Sequence, residues 1–201
     1  MRAHRDFPAP AFGLACCVLA VACGTTDPPD FACLNPGPDI GDRQAQVSGG
    51  YWNMDDEYAA IAREIPGGFG GLFLNQYQGR GVQNKYNIYL VQPGQSEAAV
   101  AALIPRLAAW QSTWPLPLTP SNFNALQGDF DYAQLKSCYQ LVQSTGISGM
   151  VSTDIDEGLN RIVIGVDSDA TQQRALAELQ RRGVPPQMLV ARTEGPVEVW
   201  P

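Results

Sequence analysis

MVSTDIDEGLNRIVIGV, residues 150–166, is the stretch of sequence that decides the fold. Its first half, Met150–Asp156, has the composition of a short strand, and in its second half Ile162, Ile164 and Val166 alternate with other residues. Alternation with a period of two is typical of a half-buried strand, and the intervening Glu-Gly favours a turn. A β-hairpin is therefore predicted over these residues.

Helical patterns flank this hairpin on both sides. A helix capped by Asp131 is predicted before it, and a helix capped by Asp167 or Asp169 is predicted after it. Gly183 is a typical stop signal for the second helix. Met188–Arg192 is predicted to form a last strand, so the order of elements is α-β-β-α-β.

The same order of patterns occurs once earlier in the chain. The predicted elements there are a helix, two strands, a helix beginning at the cap Ser96, and a strand: Met54–Ile65, Phe69–Gln76, Tyr86–Gln92, 96–107 and Asn122–Gln127. Identity between the two stretches is low, so the repeat is one of pattern. The predicted fold class is α+β, with two tandem αββαβ units, each a small antiparallel-dominated sheet with helices packed on one face.

The predicted organisation has four parts. Residues 1–22 are a signal peptide, 23–50 a Pro/Gly-rich leader that begins with a lipidated cysteine, 51–128 the first αββαβ unit, and 129–201 the second unit with a C-terminal tail.

The N-terminal segment resembles the signal of a bacterial lipoprotein. Two arginines precede the short apolar run Ala11–Val21, as in a signal peptide. The run ends in Ala20-Val21-Ala22-Cys23, which is similar to a lipobox. This resemblance implies that Cys23 becomes the acylated first residue of the mature protein, with palmitate-type chains as its membrane contact.

Two other fates of this segment remain open. Ordinary signal peptidase would cleave before Cys23 and leave a free thiol, and an uncleaved segment would act as an anchor, although its apolar run is shorter than the roughly 20 residues that span a bilayer. All three fates export the chain. The predicted localisation is the cell envelope, lipid-anchored on the exported side of a bacterial membrane, with secretion as the alternative.

Export determines how the remaining cysteines are interpreted. After removal of the signal, Cys33 and Cys138 are the two thiols besides Cys23. An oxidising compartment favours a disulfide between them. The alternative is a buried thiol at Cys138 and an unused one at Cys33.

Composition excludes several functions. His4 is the only histidine and belongs to the signal, so a mature chain lacks imidazole and has no Ser-His-Asp, Cys-His or His-ligated zinc site. The net charge is −7, and −8 without the signal, which carries two arginines and one aspartate. Arg181-Arg182 is the densest basic pair, which makes nucleic acid an unfavourable partner. No cofactor is predicted, and the chain is predicted not to be an enzyme.

The hairpin carries a resemblance to a known family. Its strand ending in Asp156, its turn with Asn160 and its apolar return strand are similar to a hairpin in the pro-regions of secreted bacterial chymotrypsin-like serine proteases of the alpha-lytic protease and streptogrisin type. The helix that follows, with Gly183-Val184-Pro185, continues the likeness, and Phe69–Leu74 resembles the opening strand of the same module.

In that family the pro-region is a folding catalyst and a tight inhibitor, which lays a sheet edge and its C-terminal tail against the protease. The resemblance therefore implies a protein-binding module without a protease domain of its own. The residues Gly195, Pro196, Val197, Glu198 and Val199 are the candidate inhibitory tail, or else one more edge strand. The expected partner is a secreted serine protease or another envelope protein.

Three other features have residue types typical of sites but also a simpler structural explanation. The cluster Asp154, Asp156 and Glu157 offers oxygen ligands for calcium, although an acidic hairpin turn explains it equally and its spacing is not that of an EF-hand. The glycine-rich run 67–71 precedes a strand, which favours a bulge or close backbone approach over a phosphate loop. Lys136 is isolated on its helix and is expected to be solvated.

Two rival functions remain beside the binding module. One is a structural envelope lipoprotein that shares only the fold, since fold does not determine function. The other is a glycosidase that uses two carboxylates, for which the tryptophans would provide sugar-stacking surfaces. Those tryptophans are Trp52, Trp110, Trp114 and Trp200.

Overall fold

A computed structural model of the chain describes residues 31–35, 54–110 and 114–194. The predicted signal peptide, the lipidation site Cys23 and the candidate tail 195–199 lie outside the described residues, as do Trp52 and Trp200.

The described residues form two units with the same order of elements. The first unit consists of α1 (Met54–Glu64), β1 (Phe69–Leu74), β2 (Tyr86–Leu90), α2 (Ser96–Trp110) and β3 (Phe123–Gln127). The second unit consists of α3 (Tyr132–Ser144), β4 (Met150–Asp156), β5 (Arg161–Val166), α4 (Asp169–Arg181) and β6 (Leu189–Thr193). The predicted α+β class is confirmed.

The two sheets have the same topology. Their strand orders are β1-β2-β3 and β4-β5-β6. In each sheet the middle strand pairs antiparallel with the first strand and parallel with the third, so both sheets are mixed. The registers also correspond, because Ile88 of β2 lies opposite Ala125 of β3, and Ile164 of β5 lies opposite Ala191 of β6.

Side-chain caps position the helices of the second unit. Asp131 caps α3 as predicted: its carboxylate accepts the backbone N–H of Gln134, whose amide oxygen accepts the N–H of Asp131 in return. The prediction that Asp167 or Asp169 caps α4 is wrong. Ser168 lies between them with extended backbone angles and accepts the N–H of Thr171.

The helix of the first unit that begins at Ser96 starts differently. Ser96 already has helical backbone angles, because a 3-10 turn over Pro93–Gln95 leads directly into α2. The prediction that Ser96 is an N-cap is therefore wrong, since a capping residue is non-helical.

One hydrophobic core contains residues of both units. Ile88 and Leu90 of β2 and Ile162 and Ile164 of β5 are completely buried in the same cluster. Helices α1 and α3 pack against each other between the units, which brings the first turn of α1 beside the first turns of α3. Burial of this apolar surface is the main stabilising contribution to such a fold.

The predicted disulfide between Cys33 and Cys138 is present. Their Cα atoms are 4.8 Å apart, and Cys138 lies fully buried in α3. The bridge holds the short turn Ala32–Leu34 against α3, where the side chain of Gln134 also donates to the carbonyl of Leu34. The leader is therefore attached to the core long before the chain enters α1.

None of the helices in the described residues combines the length and apolarity that crossing a membrane requires.

Candidate functional site

The acidic residues of the β4–β5 hairpin close its turn. One carboxylate oxygen of Asp156 accepts the backbone N–H of Leu159 at 3.1 Å. The other accepts the Tyr77 hydroxyl at 3.0 Å and lies 3.8 Å from the guanidinium of Arg192. Tyr77 belongs to the β1–β2 connection, so Asp156 ties the turn of the second unit to the first unit.

Glu157 faces the opposite way, toward helices α1 and α3. Its Oε1 atom lies 3.0 Å from the hydroxyl oxygen of Tyr132, and the same hydroxyl lies 2.9 Å from Oδ1 of Asp55. Tyr132 is completely buried, and its ring packs edge-on against Tyr58 with the centroids 5.1 Å apart. One hydroxyl thus lies between carboxyl groups from α1 and from the hairpin turn.

Lys136 completes this cluster, and the prediction that it is solvated is wrong. Its side chain is only 3% exposed, with its ammonium 3.2 Å from Asp55 and 3.3 Å from Asp56. The helical periodicity of α3 places Lys136 beside the apolar stripe, and the packing of α1 then covers it. A buried ammonium is stable only when it is paired, and the two carboxylates of α1 pair it.

Burial perturbs the ionisation of this cluster. Burial raises the pKa of Glu157 from 4.5 to about 7, and the nearby carboxylates of Asp154 and Asp55 add to the rise. Burial likewise raises the pKa of Tyr132 above its ordinary range. The pKa of Asp154 is also raised, first by burial and then by the neighbouring Asp55 and Asp156. Glu157 is therefore about half neutral at pH 7 and mostly neutral at lower pH.

Asn160 joins the turn to the first unit. Its φ of 57° lies in the left-handed region, and its side chain is 1% exposed. The carbonyl oxygen accepts the N–H groups of Asp129 and Phe130, and the amide group donates to the carbonyls of Phe130 and Gly70. All four hydrogen-bonding positions of the amide are thus used by backbone groups.

The glycine-rich run 67–71, which extends into the start of β1, accommodates this contact, and the predicted bulge with close backbone approach is confirmed. The β1–β2 register shifts between Phe69 and Gly71, which is a bulge. A Cβ at Gly70 would lie 2.5 Å from the Phe130 carbonyl oxygen and 2.6 Å from the Asn160 amide nitrogen. Only glycine permits this approach.

The calcium candidate Asp154, Asp156 and Glu157 is dispersed by the hairpin. Asp156 and Glu157 make the separate contacts described above, and the largely exposed Asp154 of β4 acts on Glu157 only through its charge. Among the described residues, no three Asp, Glu, His or Cys side chains are grouped so that they would hold a metal ion.

Trp114 is used for packing. Its indole N–H donates to the carbonyl of Leu107 at 3.0 Å, and its ring meets Tyr86 edge-on at 5.9 Å. The side chain of Trp110 is outside what the structure describes.

The outer edge of β6 is open within the described part of the chain. The Glu194 N–H donates to the Val166 carbonyl of β5. Because backbone groups alternate in direction along a strand, residues 190, 192 and 194 direct theirs toward β5. Ala191 and Thr193 therefore direct their N–H and C=O groups away from β5. β6 is the terminal strand of its sheet, and no described residue hydrogen-bonds to those outward groups.

The corresponding edge at β3 has the same geometry. The Gly128 N–H donates to the Leu90 carbonyl, so Ala125 points its backbone groups outward from β2. By contrast, the outer side of β1 is contacted by Asn160, which bonds to the Gly70 carbonyl. The two units therefore join at β1 and leave β3 and β6 as outer strands.

Sequence reasoning missed the Tyr132 hydroxyl, the pairing of Lys136 and the four-bond role of Asn160. A local signal existed only for Asn160, because an asparagine in a hairpin turn tolerates the left-handed conformation.

Comparison with protein-family models gives no match, and a search of curated proteins gives no significant match.

Proposed function

We propose that this protein is an exported, lipid-anchored and non-enzymatic binding module that takes a strand of another exported protein onto the outer edge of β6. The partner we propose is a secreted chymotrypsin-like serine protease, which the module inhibits or helps to fold. The proposal rests on the pro-region resemblance of the hairpin and on one structural observation, the open edge of β6.

The edge of β6 suits strand addition. The outward N–H and C=O groups of Ala191 and Thr193 offer the main-chain hydrogen bonds that such recognition uses. Charged residues on an edge normally discourage indiscriminate pairing, and Arg192 is exposed there. The candidate tail 195–199 begins two residues after the end of β6, so edge and tail would meet the same partner.

The polar cluster between the units supports a binding role over catalysis. Lys136, Asp55, Glu157 and Tyr132 contact one another across packed elements, and Asp156 closes a turn. These groups already stabilise the junction, which leaves the strand edge as the feature best suited to a partner.

A matched pair of proline substitutions tests the proposal. Ala191→Pro removes an outward N–H of β6 and keeps the β5–β6 hydrogen bonds, since proline is tolerated on edge strands. Ala125→Pro is the matched control, because Ala125 holds the equivalent position in β3. Folding of both variants is checked by thermal unfolding.

The assay is inhibition of a purified alpha-lytic-type protease, measured with a chromogenic peptide. We expect the mature protein to inhibit the protease. Ala191→Pro should inhibit it with a Kd about fivefold to tenfold weaker, because one main-chain hydrogen bond to the partner strand is lost. Ala125→Pro should inhibit like the wild type. Absence of inhibition by the mature protein, or an equal loss of inhibition in both variants, would contradict the proposal. Acylation of Cys23 is tested separately, by mass spectrometry of the cell-associated product.

A further inference from the structure

The Tyr132 hydroxyl has one hydrogen to donate but two carboxyl groups within hydrogen-bond distance. Carboxyl oxygens of Asp55 and Glu157 lie 2.9 and 3.0 Å from it. A hydroxyl donates one hydrogen, and an ionised carboxylate only accepts. The second contact is therefore a hydrogen bond only when one carboxyl is protonated and donates to the tyrosine oxygen.

The arrangement of charges identifies the protonated carboxyl. The Lys136 ammonium lies 3.2 Å from Oδ2 of Asp55, which favours the ionised form of that residue. The field at Glu157 is the reverse, since the charged neighbours that act on it are the carboxylates Asp154 and Asp55. Glu157 is therefore the group that holds the proton, donates to Tyr132 and leaves the tyrosine hydrogen for Asp55.

We propose that Glu157, Tyr132 and Asp55 form a proton-operated latch between the β4–β5 turn and helix α1. The latch is closed while Glu157 carries its proton, and loss of that proton opens it. Asp55 belongs to the first unit and Glu157 to the second, so the proton strengthens the junction of the two units. This inference does not depend on the proposed binding function.

Every element packed around Glu157 contributes to its titration. The groups that act on Glu157 are a carboxylate and a tyrosine on α1, a tyrosine on α3 and a carboxylate on β4: Asp55, Tyr58, Tyr132 and Asp154. Lys136 of α3 and Asp56 of α1 adjoin this set through the ion pair of Lys136 with Asp55 and Asp56. The ammonium is engaged by the two α1 carboxylates, so it does not offset the effect of burial on Glu157.

The direction of the pH effect follows from linkage. The folded-state pKa of Glu157, about 7, lies above its ordinary value of 4.5. Burial is the main cause of this rise, so the contribution of neutral Glu157 to folding is complete below about pH 4.5 and is lost as the pH rises through 7. Across that range the folding equilibrium constant should fall by up to about 300-fold from this one group.

The test compares urea unfolding of the wild type and of Glu157→Gln between about pH 4 and pH 8.5. The glutamine amide donates to Tyr132 at every pH, so the variant should lack this part of the pH dependence. Asp156→Asn is the matched control, because Asp156 lies in the same turn and meets a tyrosine hydroxyl that has no second carboxyl contact among the described residues. It should retain the wild-type slope.

A spectroscopic measurement keeps the proposal testable if Glu157→Gln folds poorly. Infrared difference spectra of the wild type should show a protonated-carboxyl C=O stretch that disappears as the pH passes about 7. Tyr132→Phe, which removes the acceptor, should shift that band. Equal pH slopes in the wild type and Glu157→Gln, or no protonated carboxyl at pH 6 in the wild type, would overturn the latch.

Discussion

Replacement of Asn160 by alanine should be among the most destabilising single substitutions at the junction of the two units. Its side chain satisfies four backbone groups, and three of the four hydrogen bonds lie in fully buried surroundings. A buried backbone group that loses its partner costs about 1–3 kcal/mol. Taking the low end for the three buried groups gives about 3 kcal/mol.

The backbone of Asn160 adds a second contribution. At a φ of 57°, alanine costs about 1 kcal/mol more than asparagine or glycine. Asn160→Ala should therefore lower the free energy of unfolding by about 4 kcal/mol, and Asn160→Gly, which removes only the hydrogen bonds, by about 3 kcal/mol. Both values are a large fraction of the 5–15 kcal/mol that stabilises a typical domain.

Asn84 provides the matched control for the backbone contribution. It has the same φ of 57° and is exposed. Asn84→Ala should therefore cost only about 1 kcal/mol. The measurement is urea denaturation at fixed pH, followed by far-UV circular dichroism and analysed by linear extrapolation. If Asn160→Ala and Asn84→Ala had equal effects, or if Asn160→Gly were neutral, the hydrogen-bond argument would be refuted.

Three further substitutions have defined expectations. Removal of the Cys33–Cys138 disulfide, by double replacement with serine, should lower stability by about 4 kcal/mol because the bridge closes a separation of 105 residues; an unchanged thermal midpoint, with no effect of reductant on the wild type, would contradict this. Lys136→Met should cost about 2 kcal/mol in urea unfolding, since it leaves two half-buried carboxylates of α1 without their cation; a stabilised variant would show that packing outweighs the pairing. Gly70→Ala should lower the free energy of unfolding by about 2 kcal/mol, because the new Cβ would lie 2.5 Å from a backbone oxygen. Gly94→Ala, whose Cβ would have no atom within 4 Å, should change it by less than about 0.5 kcal/mol. Equal effects of the two substitutions would refute the close approach at Gly70.

The local elements could be predicted because their signals are local. Alternation in Arg161–Val166 and helical spacing in Tyr132–Ser144 depend on residues a few positions apart, and both elements are present. The sequence cannot identify the cap of α4, because Ser168 stands between two aspartates that are equally good caps. Only the extended backbone angles of Ser168 show that it is the capping residue. The parallel pairing of each third strand requires knowledge of the crossover, which the pattern does not contain.

The polar junction could not be predicted from periodicity. Lys136 is buried because α1 covers α3, and this packing joins residues about 80 positions apart. The same is true of Tyr132, which is buried although it stands at the start of its helix and meets carboxyl groups from two other elements. Such contacts depend on the relative placement of the two units, for which the sequence holds no short-range signal.

The fate of the acidic hairpin explains why the proposed function is assigned to a strand edge. The sequence suggests Asp156 and Glu157 as calcium ligands. In the structure both residues instead attach the turn to the first unit, Asp156 through Tyr77 and Glu157 through the Tyr132 hydroxyl that also contacts Asp55. Each polar group that is satisfied within the junction is unavailable to a partner, because a new contact would first have to break an existing one. The outward backbone groups of Ala191 differ, since among the described residues nothing has to be displaced before a partner strand can bond to them. Recognition at β6 therefore needs no rearrangement of the junction, and Ala191→Pro should weaken binding without altering the pH dependence that Glu157 confers.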